Sequence, residues 1–132
     1  MPAQLRTGLW LAAAALAVAC GGGGSSPTTP GGGSSTPVQT NTITITAQGA
    51  SPRNIQIAVG SRVTFVNNDS RAHNMASDPH PEHTACPELN QIGLLAPGQS
   101  RESGNLTTVR TCGFHDHDNP AVSNLTGTIT IR

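Results

Sequence analysis

Between Cys112 and Asp118 the chain sets one thiol, two imidazoles (His115, His117) and two carboxylates (Asp116, Asp118) within seven residues, in Thr111-Cys-Gly-Phe-His-Asp-His-Asp-Asn-Pro120. Thiolate, imidazole and carboxylate are the side chains that bind copper and zinc. No other segment is as dense in them. On a strand, side chains two apart share a face. His115 and His117 then point one way, Phe114 and Asp116 the other. The remaining histidines are His73 and the pair in Asp78-Pro-His-Pro-Glu-His83, His80 and His83. A lone His in a Pro-rich loop is ordinarily solvated, and His73 alone reads as a satisfied strand end. All five together, confined to two short regions and one strand end, favour a metal site. The ligand set expected is His115 and His117 with His73 or the loop pair, and Asp116, Asp118, Asp78 or Glu82 are available to complete or orient it.

The elements that must position these groups read as strands. Thr42–Thr46 and Asn54–Ile57 alternate apolar and polar residues with period two. Arg62–Asn67 is a third strand, with Val63 and Phe65 on one face, and Gly127–Ile131 a fourth. Gly49, Pro52, Gly60, Pro97-Gly98 and Gly104 punctuate them. No segment has a helical period. Short strands with frequent turn signals predict an all-β sandwich or barrel over residues 41–132. The exception is residues 78–97, with four prolines and no clear strand, long enough to be functional or specially restrained.

Composition narrows the classes. The 132 residues suffice for one domain, and the formal net charge of zero gives no basic footprint for nucleic acid. All seven basic residues are Arg, and the only aromatics are Trp10, Phe65 and Phe114, so the core must be largely Ile, Val and Leu. Asn68-Asp-Ser70, Asn105-Leu-Thr107 and Asn124-Leu-Thr126 fit a glycosylation pattern but read as polar turns. No nucleophile elbow, phosphate-binding glycine loop or paired catalytic carboxylates appear, which favours a metal-binding protein or electron carrier over a catalyst.

The N-terminus reads as targeting, not fold. One Arg precedes the apolar run Gly8–Ala19, which is too short to span a bilayer. Ala17-Val-Ala19 ahead of Cys20 resembles a bacterial lipobox, departing from it at Ala17, where Leu is usual. The resemblance implies a signal peptide over residues 1–19, lipid attachment at Cys20, and a membrane partner reached through that lipid. The expected location is the bacterial cell envelope, periplasmic or surface-facing. An ordinary secretory signal is the alternative. The mature chain then carries six Arg against seven carboxylates, a charge of −1. Residues 20–40, rich in Gly, Ser, Thr and Pro, have almost nothing to bury and read as a flexible linker. Its roughly 20 residues span about 25 Å root-mean-square.

Three segments resemble the cupredoxins. Phe65-Val-Asn-Asn-Asp-Ser-Arg-Ala-His73-Asn-Met75 is similar to the segment ending in that family's first copper His. Leu95-Ala-Pro-Gly-Gln-Ser100 is similar to its L-x-P-G-x-S turn, and residues 110–131 to its closing copper loop and last strand. The resemblance spans essentially all of residues 41–132. It implies a Greek-key β-sandwich, copper as cofactor ahead of zinc, and electron transfer or copper handling with a redox or copper-exchanging protein as partner.

The closing loop can be placed in two registers. In one, Cys112 is a copper thiolate followed by His115 or His117. In the other, the flanks align with G-T-Y-x-Y-x-C-x-x-H-P. That puts Cys112 in the first Tyr place, Asp116 in the copper Cys place and Asn119 in the second His place. The second register matches more positions without a gap. His115-x-His117 then resembles the H-C-H element of multicopper oxidases, with Asp116 for the central Cys. Thiol counting favours it too. With Cys20 acylated, Cys86 and Cys112 are an even pair in an oxidising compartment, and a disulfide is expected. Cys112 remains a copper ligand only if it is not bridged. Met75, the mature chain's only Met, is expected to point away from the face His73 uses, leaving no axial Met. A metal-free envelope interaction module and a thiolate-free His-rich copper or zinc site, for buffering or small-oxidant redox chemistry, are the alternative functions.

Overall fold

The computed structural model describes residues 36–132; the expected signal segment, Cys20 and the linker up to residue 35 lie outside them. The described residues form ten strands: β1 Val38–Gln39, β2 Thr42–Thr46, β3 Gly49–Ser51, β4 Asn54–Ile57, β5 Thr64–Asn67, β6 His73–Ser77, β7 Gly93–Leu95, β8 Ser100–Glu102, β9 Arg110–Asp116 and β10 Gly127–Ile131. They form the expected Greek-key β-sandwich. One sheet runs β1-β4-β10-β9-β6-β7 and the other β3-β2-β5-β8.

Alternation explains the layers. Ile43 and Ile45 of β2, Ile55 and Ile57 of β4, and Ile129 and Ile131 of β10 are buried, while the Thr and Gln residues between them are not. Each such side chain contributes about 1.5–3 kcal/mol by leaving water. Phe65 and Phe114, the domain's two aromatics, meet edge to face at its centre with ring centroids 5.2 Å apart. Strand β5 begins at Thr64 rather than Arg62, yet Val63 still packs in the core. Val38–Gln39, placed in the linker by composition, pairs in parallel with Ile55–Gln56 and covers the edge of β4.

Residues 78–97 are more ordered than their composition suggests. Pro87–Gln91 forms a 3-10 helix that buries Leu89, and Gly93–Leu95 is β7, antiparallel to β6. A three-residue strand is too short to display a period. The Cys86–Cys112 disulfide expected from the thiol count is present, with Cα atoms 5.8 Å apart and both residues fully buried. It fastens the segment following β6 onto β9. Among the described residues no helix is long and apolar enough to cross a membrane.

Candidate metal centre

Strand β9 sends Cys112, Phe114 and Asp116 inward and His115 to the opposite face. His115 is nevertheless only 2% exposed, because residues 78–86 fold over that face as a strap. The strap is tied at both ends. The Asp78 N–H donates to the Gly113 carbonyl (3.0 Å), and a Cβ at Gly113 would collide with the Asp78 carboxylate, so glycine is what lets the strap close on the strand. At the far end Cys86 is bridged to β9, and its N–H donates to the Ser77 hydroxyl (2.8 Å). Between them, His83 takes a left-handed backbone conformation, φ 53°, which is uncommon for a non-glycine residue. It is clamped there: its N–H donates to the Pro79 carbonyl (2.7 Å) and its carbonyl accepts from Asn90 Nδ2 (2.9 Å). Strain held by such clamps concentrates at functional sites.

Folding the strap back brings His80 and His83 against His115 and His117. One ligating atom from each of the four lies within 4.8 Å of all the others. His117 Nδ1 and His83 Nε2 are 3.1 Å apart. Two nitrogens at metal-ligand distance from one tetrahedral ion sit about 3.3 Å apart. His115 Nδ1 meets Asp78 Oδ1 at 2.6 Å, while its Nε2 is buried with no hydrogen-bond partner. A buried unpaired nitrogen is costly. If Nδ1 carries the proton given to Asp78, Nε2 presents its lone pair, the carboxylate–histidine arrangement that orients metal ligands. Burial, then the neighbouring His115, His117 and His80, hold the His83 pKa below its ordinary value, favouring the neutral ring that can ligate. The donor set therefore fits a borderline metal ion with imidazole ligands. His80 is exposed, His83 and His117 partly so.

The structure does not bring His73 or Asp116 into this cluster. His73 Nδ1 meets Asp116 Oδ2 and its Nε2 meets Asp69 Oδ2, each at 2.9 Å, so both ring nitrogens are engaged. Asp116 also accepts from the Asn74 N–H (3.1 Å), the Asp118 N–H (3.2 Å) and Asn119 Nδ2 (3.0 Å). Burial alone would raise its pKa, but these bonds outweigh it and hold the carboxyl below its usual range. The His73 hydrogen bond does the same for Asp69. His73, Asp116 and Asn119 thus meet where the resemblance implies copper, but as a hydrogen-bonded network with no soft ligand. Cys112 is not a thiolate either, being bridged. Met75 departs from expectation: two residues from His73 in β6, it shares that residue's inward face and is buried in the core. Asp69 was not singled out by the sequence; its only signal is the four-residue spacing to His73.

A cleft of about 220 Å³ opens beside the cluster, lined by His83, His117, Asn74, Ala76 and Asn90 among others. A larger cavity of about 320 Å³, lined by Val38, Pro52, Arg53 and Thr126 among others, contains no histidine.

No known family profile matches the chain, and no curated protein does. Solved structures do. A purple cupredoxin from Nitrosopumilus maritimus aligns at 23% identity over 70% of this chain and 100% of its own, with a TM-score of 0.55. Oxidised plastocyanin from Dryopteris crassirhizoma aligns at 22% over 69% and 99%, TM-score 0.54. A reduced amicyanin variant aligns at 16% over 69% and 80%, TM-score 0.53. With a two-sheet sandwich of matching extent, the chain has the cupredoxin fold.

Proposed function

We propose that this chain is a copper-binding protein of the cell envelope, tethered by a lipid at Cys20, that carries electrons or hands on copper. Its metal is held by His80, His83, His115 and His117, not by a thiolate. The observation that carries this reading is the buried, unpartnered Nε2 of His115, set among three other imidazoles and oriented by Asp78. Among divalent first-row ions nitrogen donors favour copper. The similar structures named as cupredoxin and plastocyanin support the same metal, and the lipobox-like leader and polar linker support the tether.

Bound there, copper would supply one-electron chemistry. The chain's own residues do the rest. Asp78 holds the His115 tautomer. The strap excludes water from His115, and His80, at the surface, offers a partner the shortest approach. Four neutral imidazoles and no sulfur give a centre without an intense thiolate-to-copper band.

Thiol counting with visible and EPR spectra on Cu(II)-loaded protein tests the reading. The expected result is one copper per chain, nitrogen hyperfine structure, no intense blue or green colour and no free thiol. His115→Ala with His117→Ala should abolish binding. A strongly coloured protein with free Cys112, or undiminished affinity in the double variant, refutes the assignment.

A further inference from the structure

We infer that the four-histidine centre keeps a coordination position open to an exogenous small anion, which reaches the metal through the cleft between β6 and the strap. The inference rests on the metal reading above and adds a ligand class to it. Three observations carry it.

The first is where the cleft lies. Of the four histidines, only His83 and His117 line it, and these are the two whose nitrogens are 3.1 Å apart. The cleft therefore meets the centre across the His83–His117 edge, away from His80 and His115. Its volume of about 220 Å³ holds several waters, each occupying about 30 Å³ in the liquid. A two- or three-atom anion fits.

The second is charge. The cluster comprises imidazoles alone. Four neutral rings leave the formal charge of a divalent ion uncancelled by any direct ligand; the carboxylates that offset it stand outside the ligand set, Asp78 on His115 and Glu82 near His83. Inside a partly desolvated site such an excess attracts an anion.

The third is the lining. Its walls are the amide residues Asn74 and Asn90, with Met75, Ala76 and Gly93, and no carboxylate. An entering anion meets dipoles and imidazoles, not negative charge. Asp118 and Glu82 lie on exposed turns outside this lining.

The inference is tested by titrating azide into the Cu(II)-loaded protein, following the near-ultraviolet azide-to-copper band and the EPR spectrum. One azide should bind per copper, saturably and without removing the metal. Asn74→Phe narrows the cleft from β6 and replaces no metal ligand; the Asn74 carbonyl, which accepts from the His117 N–H (2.6 Å), is retained. It should leave copper affinity unchanged and weaken azide binding about tenfold or more. Ala76→Val, on the same lining, serves if the larger residue prevents folding. Copper spectra indifferent to azide overturn the inference, as does azide binding as tight in a folded cleft variant as in the parent. Release of copper by azide overturns it too. Failure to bind copper at all overturns the metal reading instead, so the two failures are distinct.

Discussion

Replacing both Cys86 and Cys112 with Ala separates two effects of the bridge. The first is on folding. The bonded residues are 26 apart in sequence, and the chain-entropy relation then assigns the cross-link about 3.5 kcal/mol of stability. A domain of this size holds about 5–15 kcal/mol in all, so the variant should fold but unfold at markedly lower urea. The second effect is on metal. His80 and His83 lie six and three residues before Cys86, and His115 and His117 three and five after Cys112. Bridge and metal would therefore cross-link the same two segments. In the bridged protein the closure is already made; without it, the ion must make it. The upper limit of the loss is the same 3.5 kcal/mol, about two and a half powers of ten in copper affinity. The strap's hydrogen bonds to Gly113 and Ser77 keep part of the closure, so the expected loss is about ten- to hundredfold. Competition titration with a chelator of known affinity measures it, beside urea unfolding of the metal-free proteins. Copper affinity equal within about threefold in parent and variant would refute the shared-closure reasoning, whatever the urea result. Metal-free stabilities within about 1 kcal/mol of each other would refute the entropy estimate.

Three further outcomes follow from the geometry. Asp78→Asn removes the carboxylate that orients His115 and should weaken copper binding about 10–100-fold with the fold retained; an unchanged dissociation constant by competition titration contradicts that role. Asp69 is held below its ordinary value near 3.8, so its contribution to stability is complete above that pH and lost as pH falls through the lower folded-state value. The gap in urea midpoint between the parent and Asp69→Asn should accordingly close as the pH falls below about 4; a gap unchanged across that acid range refutes the linkage. Asp116→Cys with Asn119→His places a thiolate and a second imidazole beside His73 Nδ1. This double variant should acquire an intense visible band with Cu(II) that the parent lacks, and a colourless, correctly folded variant would show that the network does not mark the fold's usual copper position.

Strands whose inward residues alternate over four or five positions, such as Ile43/Ile45 and Ile129/Ile131, are legible directly because the pleat repeats every two residues. Strands β1 and β7, of two and three residues, carry no readable period and exist because neighbouring edges need partners. The disulfide could be reached by counting thiols, since only two remain after Cys20. The shared face of His115 and His117 was equally open to the period-two rule. What composition and spacing could not settle was whether His73 or the loop pair joins them. That depends on the strap folding back over Gly113 and on Asp69 taking the second nitrogen of His73, both long-range or ambiguous features. Met75 obeys the same period-two rule in β6: two residues from His73, it shares that residue's inward face.

The Asp69–His73–Asp116 network has a consequence for loading. A fold with two histidine-bearing addresses could divide incoming copper between them and yield mixed populations. Here one address is closed from within: the ring of His73 has no free nitrogen, and its carboxylate partners are occupied by that ring and by neighbouring amides. An ion would have to break several charge-assisted bonds in a buried setting to enter, whereas the imidazole cluster offers a nitrogen that is already unpaired. On the proposed metal reading the chain then offers copper a single destination and should give a single spectroscopic species at every degree of filling.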